Sequence, residues 1–232
     1  MPTPPAVARL VFGDALATAE AYAEFLAGPG VERGVLGPAE TERIWDRHLL
    51  NCAVVAELVP PVRELVDIGS GAGLPGVVLA MLLPRVHVVL VESMARRTAF
   101  LTECVNILGL TNVDVRRGRA EDMAGQLAAD VVTARAVARL DRLVVLAAGV
   151  ARRGGLVLAL KGAAAADELA EAAPVLRRLG ASGVEIVTAG TGVVSQPTTV
   201  VRFRTSSDSH RYAGPTSARK RGPGAGDRER AR

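Results

Sequence analysis

A glycine-rich segment after an apolar stretch is the part of this 232-residue chain whose residue types are best suited to chemistry. Residues 65–76 have the sequence LVDIGSGAGLPG. An apolar strand that runs into a glycine loop and then into a helix forms a nucleotide-type pocket at the carboxyl end of a parallel strand. Glycine has no Cβ, so the loop backbone can pass close to a ligand. Asp67 stands directly before the loop, where its carboxylate could hydrogen-bond the loop or a ligand cation. This acid favours a cationic cofactor such as S-adenosylmethionine over a diphosphate.

Two cofactors are compatible with the glycine spacing. Gly71, Gly73 and Gly76 match the dinucleotide fingerprint, whose glycines admit a pyrophosphate at a helix N-terminus. Counted from Asp67, the loop has the form acid-x-Gly-x-Gly-x-Gly, which is typical of class I methyltransferases. The position of Asp67 and the presence of Pro75, which lacks the helix N–H that would serve a phosphate, favour S-adenosylmethionine over NAD(P). A strand–helix turn without a ligand is the structural alternative, and the density of glycines argues against it.

Two further groups follow later strands at positions where a nucleoside cofactor is bound. Glu92 ends the next apolar stretch, about 20 residues after the loop, where a carboxylate can accept hydrogen bonds from a ribose diol. Its alternative role is a surface acid paired with Arg96 or Arg97 at helical spacing. Ala120 and Glu121 follow the third strand and could contact an adenine ring, or they could begin a short helix. Both cofactors would use Glu92, so this residue does not discriminate between them.

Two cations also follow strands. Arg135 comes directly after the apolar stretch 129–134, and Lys161 follows the stretch 155–160. Because the carboxyl ends of parallel strands meet at one edge of a sheet, both cations could line the mouth of the pocket and hold a phosphate or a base edge. Ion pairing with a pocket acid such as Asp67 is the structural alternative.

His48 is the third candidate for substrate positioning. It lies on an apolar helical stripe with Cys52, and a lone histidine in such a stripe is more often a core residue. No second histidine or cysteine stands at metal-ligand spacing, so we expect no metal site. Cys52 and Cys104 both fall in apolar helical patterns, which predicts buried free thiols and no disulfide framework. A Gly-x-Ser-x-Gly nucleophile motif is also absent from the sequence.

The elements that must position these residues alternate along the chain. The predicted strands are 63–68, 86–91, 113–116, 129–134 and 155–160, and the helices between them are 75–83, 95–108, 138–149 and 165–179. Short apolar strands separated by helices indicate a parallel sheet that is covered on both faces. Two late strands, 183–189 and 198–204, have no helix between them and should pair antiparallel. The prediction is therefore an α/β, Rossmann-like fold of the class I methyltransferase type, with a seven-stranded sheet of five parallel strands and a C-terminal antiparallel hairpin.

Two helices precede the first strand. The apolar pattern predicts helices over 14–27 and 39–58, with a Gly/Pro loop at 31–38. The sequence Gly28-Pro29-Gly30 is expected to end the first helix, and Pro60-Pro61 the second. We therefore divide the chain into an N-terminal helical cap at 1–60, a methyltransferase domain at 61–204 and a basic disordered tail at 205–232.

Composition indicates a folded domain with a basic extension. The chain is 49% apolar, which is enough for a core, and its formal net charge is +4. Residues 205–232 contain seven arginines and lysines against three acids, so the preceding body is neutral. Such a tail is either an arm that contacts a polyanion or a solvated end, and both readings stay open. We expect a cytoplasmic protein, because the N-terminus lacks a signal-peptide pattern and no apolar run approaches the roughly 18 residues of a membrane span.

The sequence of the glycine loop, DIGSGAGLPG at residues 67–76, resembles the signature of the RsmG (GidB) family, which methylates N7 of a guanine in bacterial 16S ribosomal RNA. The ending Leu-Pro-Gly separates this family from generic methyltransferase loops. Further matches follow in order, at Arg47–Leu50, Val91–Ser93, Ala134–Ala136 and Leu160–Gly162. The resemblance covers about residues 14 to 204.

The resemblance implies both a cofactor site and a reaction. S-adenosylmethionine would be the methyl donor. The residues implied to contact it are Gly69, Leu74, Ala120, Glu121 and Arg135, with Glu92 on the ribose, and we add Asp67 and Gly71 from the motif. The expected partner is 16S rRNA or the small ribosomal subunit, and the expected state is a monomer without metal or membrane. An NAD(P)-dependent oxidoreductase and a non-catalytic RNA-binding module are the alternatives.

Overall fold

One seven-stranded sheet organises the part of the chain that the computed structural model describes, residues 3–206. Its strands are β1 (Glu64–Ile68), β2 (His87–Glu92), β3 (Val113–Arg117), β4 (Ala129–Arg135), β5 (Ala151–Lys161), β6 (Ser182–Ala189) and β7 (Thr198–Arg204). Their order across the sheet is β3-β2-β1-β4-β5-β7-β6. The first five strands run parallel, and β7 pairs antiparallel with both β5 and β6. The predicted sheet and its C-terminal hairpin are confirmed.

In the described part of the chain, seven α-helices surround this sheet, and some are extended by 3-10 or π turns. They are α1 (Ala6–Phe12), α2 (Leu16–Phe25), α3 (Leu50–Ala53), α4 (Gly76–Leu82), α5 (Ala95–Ile107), α6 (Leu140–Val150) and α7 (Ala165–Arg178). The second predicted helix, 39–58, is a continuous helical segment in which a 3-10 turn at Pro38–Arg43 and a π turn at Ile44–Leu49 precede α3, and a 3-10 turn at Val54–Leu58 follows it. Gly109 and Gly180 follow α5 and α7 with φ of +63° and +64°, a conformation that suits glycine after a helix.

The prediction that Gly28-Pro29-Gly30 ends the first helix is wrong. A π turn at Leu26–Gly30 continues α2, and its wider spacing accommodates Pro29. Gly30 is buried, and a Cβ on it would lie 3.6 Å from the ring of Phe100 on α5. Packing between α2 and α5 therefore keeps this segment helical where local preference would end it. The sequence pattern also gave no indication of α1.

Strand residues alternate between two apolar layers, as a sheet with both faces covered requires. Leu65 and Leu158 face the layer that contains the N-terminal helices, α4 and α5. Val66 and Val157 face the opposite layer, which contains α6 and α7. Cys52 and Cys104 are buried free thiols in the first layer, as predicted.

The predicted tail at 205–232 lies outside the described residues except for its first two positions. Thr205 belongs to the fold, because its backbone N–H donates to the carbonyl of Gly155 (2.9 Å) and its hydroxyl donates to the carbonyl of Arg152 (2.8 Å). No helix within residues 3–206 is long and apolar enough to cross a membrane.

Candidate functional site

The glycine loop leaves β1 and turns across the end of β2. The backbone N–H groups of Gly69 and Ser70 donate to the carbonyl of Val91, at 2.8 and 3.1 Å. Gly69, Gly71 and Gly73 have φ of +65°, +58° and +102°, in the left-handed region that favours glycine. A strand-to-helix turn this tight explains why three glycines alternate along the loop.

The three glycines have different surroundings. A Cβ on Gly69 would lie 2.7 Å from Val137 Cγ2, and one on Gly73 would lie 2.8 Å from the hydroxyl of Tyr22. Both positions therefore need glycine for packing as well as for conformation. A Cβ on Gly71 would meet nothing closer than the carbonyl oxygen of Gly69 at 3.7 Å. Of these three glycines, Gly71 is therefore the one with open space beside it.

Glu92 is buried at the end of β2 and holds the loop directly. One carboxylate oxygen accepts a hydrogen bond from the backbone N–H of Gly71 (3.0 Å), and the other accepts one from the N–H of Met94 (2.8 Å). The side chain is only 4% exposed, and in the described chain no ion pair joins it to Arg96 or Arg97. The surface-acid alternative is therefore wrong. The Oε2 atom keeps a lone pair that could accept a ligand hydroxyl, and Oε1 could accept a second one if the Ser93 hydroxyl, 3.5 Å away, turned aside.

Asp67 lies behind the loop, fully buried among protein atoms. Its Oδ1 accepts a hydrogen bond from the hydroxyl of Thr133 on β4 (2.8 Å), and its Oδ2 accepts one from the backbone N–H of Gly76 (3.2 Å). Burial raises the pKa of this carboxyl to about 6, against the opposing effect of the hydrogen bonds. In this position Asp67 ties the end of β1 to β4 and to the start of α4.

Arg135 projects from the end of β4 toward the N-terminal helices. Its Nη1 donates to Cys52 Sγ (3.1 Å), while its Nη2 donates to the carbonyl of Arg47 (3.1 Å) and lies 3.0 Å from His48 Nδ1. His48 Nε2 in turn lies 2.8 Å from a carboxylate oxygen of Glu40. Burial and the charge of Arg135 lower the pKa of His48. The structure therefore brings two of the three positioning candidates into contact.

Lys161, the third positioning candidate, has a different environment. Its Nζ donates to Glu168 on α7 (2.7 Å) and to the carbonyl of Ala138 (2.9 Å). The same carboxylate oxygen of Glu168 accepts the backbone N–H of Leu140, the first residue of α6 (3.0 Å). The hydrogen bond from Lys161 lowers the pKa of Glu168. Lys161 thus joins α7 to the start of α6, and its ammonium group is turned toward these partners.

The remaining implied contacts lie on either side of the loop. Leu74 is half-buried at its end. Ala120 is buried in the turn that follows β3, whereas Glu121 is exposed and pairs with Arg142 (3.0 Å). This segment forms turns and not the start of a helix.

Tyr22 of α2 is a site residue that the sequence reasoning did not single out. Its fully buried hydroxyl donates to the carbonyl of Ala72 in the middle of the glycine loop (2.7 Å). Burial raises its pKa well above the usual value. In the sequence, Tyr22 flanks an apolar helix face, and nothing in that pattern indicates a partner 50 residues away.

Together these contacts define what we call the loop site: residues 69–73, Glu92 and Arg135, at the carboxyl ends of the adjacent strands β2, β1 and β4. A left-handed glycine with open space beside it and a buried carboxylate that can accept ligand hydroxyls fit a nucleoside cofactor. Within residues 3–206, no group of three or more His, Cys, Asp or Glu side chains is placed to hold a metal ion. A separate cavity of 870 Å³, with Arg152 and Arg177 in its lining, contains no residue of the loop site.

Comparison with known proteins gives consistent relatives over most of the chain. The family model described as rRNA small subunit methyltransferase G (GidB) matches residues 15–195. The ribosomal RNA small subunit methyltransferase G of Thermobifida fusca is 52% identical over 199 residues, which cover 86% of this chain and 84% of that protein. The protein of the same name from Salinispora arenicola is 53% identical over 213 residues, which cover 87% and 88%.

Solved structures share the fold at low sequence identity. An O-methyltransferase family protein from Burkholderia thailandensis has a TM-score of 0.54 at 19% identity, covering 79% of this chain and 62% of that one. TYW2 of P. horikoshii in complex with MeSAdo has a TM-score of 0.50 at 14% identity, covering 69% and 63%. These neighbours show the class I methyltransferase fold. Neither the relatives nor the neighbours support an NAD(P) oxidoreductase or a non-catalytic RNA-binding module.

Proposed function

The chain belongs to the rRNA small subunit methyltransferase G (GidB) family, and we propose that it transfers a methyl group from S-adenosylmethionine to N7 of a guanine in 16S ribosomal RNA. The observation that carries this proposal is the hydrogen bond from Gly71 to Glu92 inside a chain that matches the family over residues 15–195. This contact joins the glycine loop of β1 to the carboxylate of β2, which is the arrangement that a nucleoside cofactor needs.

The residues of the loop site fit S-adenosylmethionine. The open space at Gly71 admits the cofactor close to the backbone, and the Glu92 carboxylate can accept the two ribose hydroxyls when the Ser93 hydroxyl turns aside. We assign Ala120 and Glu121, in the turn after β3, to the adenine end of the cofactor. When bound, the cofactor supplies an electrophilic methyl group on a sulfonium.

Alignment is the main contribution that we assign to the chain's own residues. Guanine N7 carries a free lone pair at neutral pH, so no residue has to remove a proton. Asp67 is consistent with this view, because both of its oxygens are engaged by Thr133 and Gly76 and it is fully buried. Holding two reactants in line can contribute about 7–11 kcal/mol in favourable cases. The product base is cationic, so we assign Arg135 to binding an anionic group and not to contact with N7.

We further propose that the acceptor is 16S rRNA, either naked or within the small ribosomal subunit, and that the enzyme acts as a monomer. N7 lies on the major-groove edge of guanine, so partial exposure of the base is enough for access. Residues 205–232 carry seven basic residues and would add salt-sensitive affinity for RNA that does not depend on sequence.

Label transfer is the experiment that tests this function. Purified protein and S-adenosylmethionine with a labelled methyl group are incubated with bacterial small subunits, naked 16S rRNA or tRNA, and the labelled nucleoside is identified. We expect 7-methylguanosine from 16S rRNA, and the comparison of subunits with naked rRNA shows which form is the acceptor. Glu92→Gln should reduce incorporation at low cofactor concentration, whereas Glu64→Gln, a carboxylate at the opposite end of the sheet, should leave it unchanged. Label in tRNA alone, or in a different nucleoside, would refute the assignment.

A further inference from the structure

The backbone and the side chain of Arg135 are held by different parts of the molecule. The backbone belongs to β4, but the three hydrogen-bond partners of the side chain, Arg47, His48 and Cys52, lie in the N-terminal helical segment. The next residue, Ala136, has φ of +56°, which a non-glycine residue rarely adopts, and Val137 then packs over Gly69. The backbone of Arg135 is therefore held at the loop site, and the direction of its side chain depends on the helices.

The contact with His48 determines which nitrogen of the imidazole carries the proton. An arginine side chain can only donate, so His48 Nδ1 must accept from Arg135 at 3.0 Å. The proton of the neutral ring is then on Nε2, which donates to Glu40 at 2.8 Å. The same Glu40 oxygen lies 3.5 Å from Nε of Arg47. Glu40 thus stabilises the one tautomer that can accept from Arg135.

We infer that Glu40 and His48 are positioning residues, which act through the imidazole ring to hold the Arg135 guanidinium toward an anionic oxygen of a ligand in the loop site. This inference rests on the proposed function, which supplies two such oxygens, the carboxylate of the cofactor and a phosphate of the RNA. A planar guanidinium suits either group, because both offer paired oxygens. Only the direction of the side chain, and not its charge, depends on Glu40 and His48.

Paired substitutions separate positioning from mere packing. Asparagine at position 48 places an amide oxygen near the site of Nδ1, so His48→Asn keeps an acceptor for Arg135. Glutamine places its amide near the site of Nε2, so His48→Gln reaches Glu40 and leaves Arg135 without that acceptor. Glu40→Gln keeps an oxygen for the histidine N–H, whereas Glu40→Ala removes it. The control is His87→Gln, because His87 also lies beside a carboxylate, Glu64 (3.4 Å), but at the start of β2 and away from the loop site.

Two measurements identify the anion. Calorimetric titration with S-adenosylhomocysteine, which retains the carboxylate, measures whether Arg135 binds the cofactor. The KM for small subunits in the label-transfer assay measures whether it binds an RNA phosphate. We expect His48→Gln and Glu40→Ala to weaken one of these by about tenfold, the usual effect of losing a hydrogen bond to a charged group. His48→Asn, Glu40→Gln and His87→Gln should stay within about threefold of the wild type, and kcat should be unchanged in all variants.

The outcomes are distinct. An increase in the dissociation constant for S-adenosylhomocysteine supports the inference with the carboxylate as the anion, and an increase in KM supports it with the phosphate. If His48→Gln matches the wild type in both measurements, or if His48→Asn is as impaired as His48→Gln, the inference is overturned. If the wild type transfers no methyl group to any RNA, the proposed function is refuted and not this inference. The calorimetric titration then still tests how Arg135 is positioned.

Discussion

Asp67 should make this protein less stable as pH rises, which is opposite to the usual effect of a carboxyl group. Its carboxyl is fully buried, and burial raises its pKa from 3.8 to about 6. A group whose pKa is higher in the folded state binds more protons there, so the free energy of unfolding falls as pH rises from about 4 through about 6. The total loss is about 3 kcal/mol, and about 1.5 kcal/mol of it falls between pH 5 and pH 7.5.

The substitution Asp67→Asn isolates this effect. The asparagine oxygen can accept a hydrogen bond from the backbone N–H of Gly76. Its amide can donate to the hydroxyl of Thr133, which then accepts a hydrogen bond where it donated one to Asp67. The variant therefore keeps both contacts and loses the titration. We expect its stability relative to the wild type to improve by about 1.5 kcal/mol between pH 5 and pH 7.5, measured by urea unfolding at both values.

Asp130 at the start of β4 provides a matched control. Burial alone would raise its pKa, but hydrogen bonds from the backbone of Arg63 and Glu64 and from the side chain of Arg152 outweigh burial and lower it. Stability from a lowered pKa is present above the unfolded value and is lost only in more acidic solution, so Asp130→Asn should show an almost constant difference between pH 5 and pH 7.5. Parallel stability curves for Asp67→Asn and the wild type would refute the argument that burial raises the pKa of Asp67.

Four further substitutions, one of them a control, test the glycine loop and its contacts. Gly76→Ala should lower the free energy of unfolding by about 3 kcal/mol in urea, because the new Cβ would collide with Leu90. The control Gly109→Ala, with φ of +63° and open space, should lower it by only about 1 kcal/mol, and equal losses would contradict the packing argument. Tyr22→Phe leaves the carbonyl of Ala72 without its donor, so the protein should lose about 1 kcal/mol of stability and bind S-adenosylhomocysteine more weakly in calorimetry. An unchanged dissociation constant would show that the hydroxyl does not shape the loop. Glu92→Gln turns an amide group toward the backbone N–H of either Gly71 or Met94, so the same titration should show at least about tenfold weaker binding. An affinity equal to that of the wild type would argue against the binding of the ribose by Glu92.

Most of the strand and helix positions could be predicted because their signals are local. Alternating apolar strands and helices indicated the five parallel strands, and the absence of a helix before the last strand indicated the antiparallel hairpin. Predictions were poorer in the N-terminal helices. There a buried glycine under Phe100 lets a π turn continue past Pro29, which no local preference indicates.

The order of residues is enough to show which chemical groups stand at the strand ends, because glycines, carboxylates and cations follow the apolar strands directly. The direction in which those groups point depends on contacts between distant parts of the chain. Thr133, 66 residues from Asp67, turns that carboxylate inward, and Glu168 turns Lys161 toward the helices α6 and α7. The N-terminal helices supply the partners of Arg135. These contacts depend on β4 lying beside β1 and on which helices cover each face, and such long-range neighbours cannot be read from spacing along the chain.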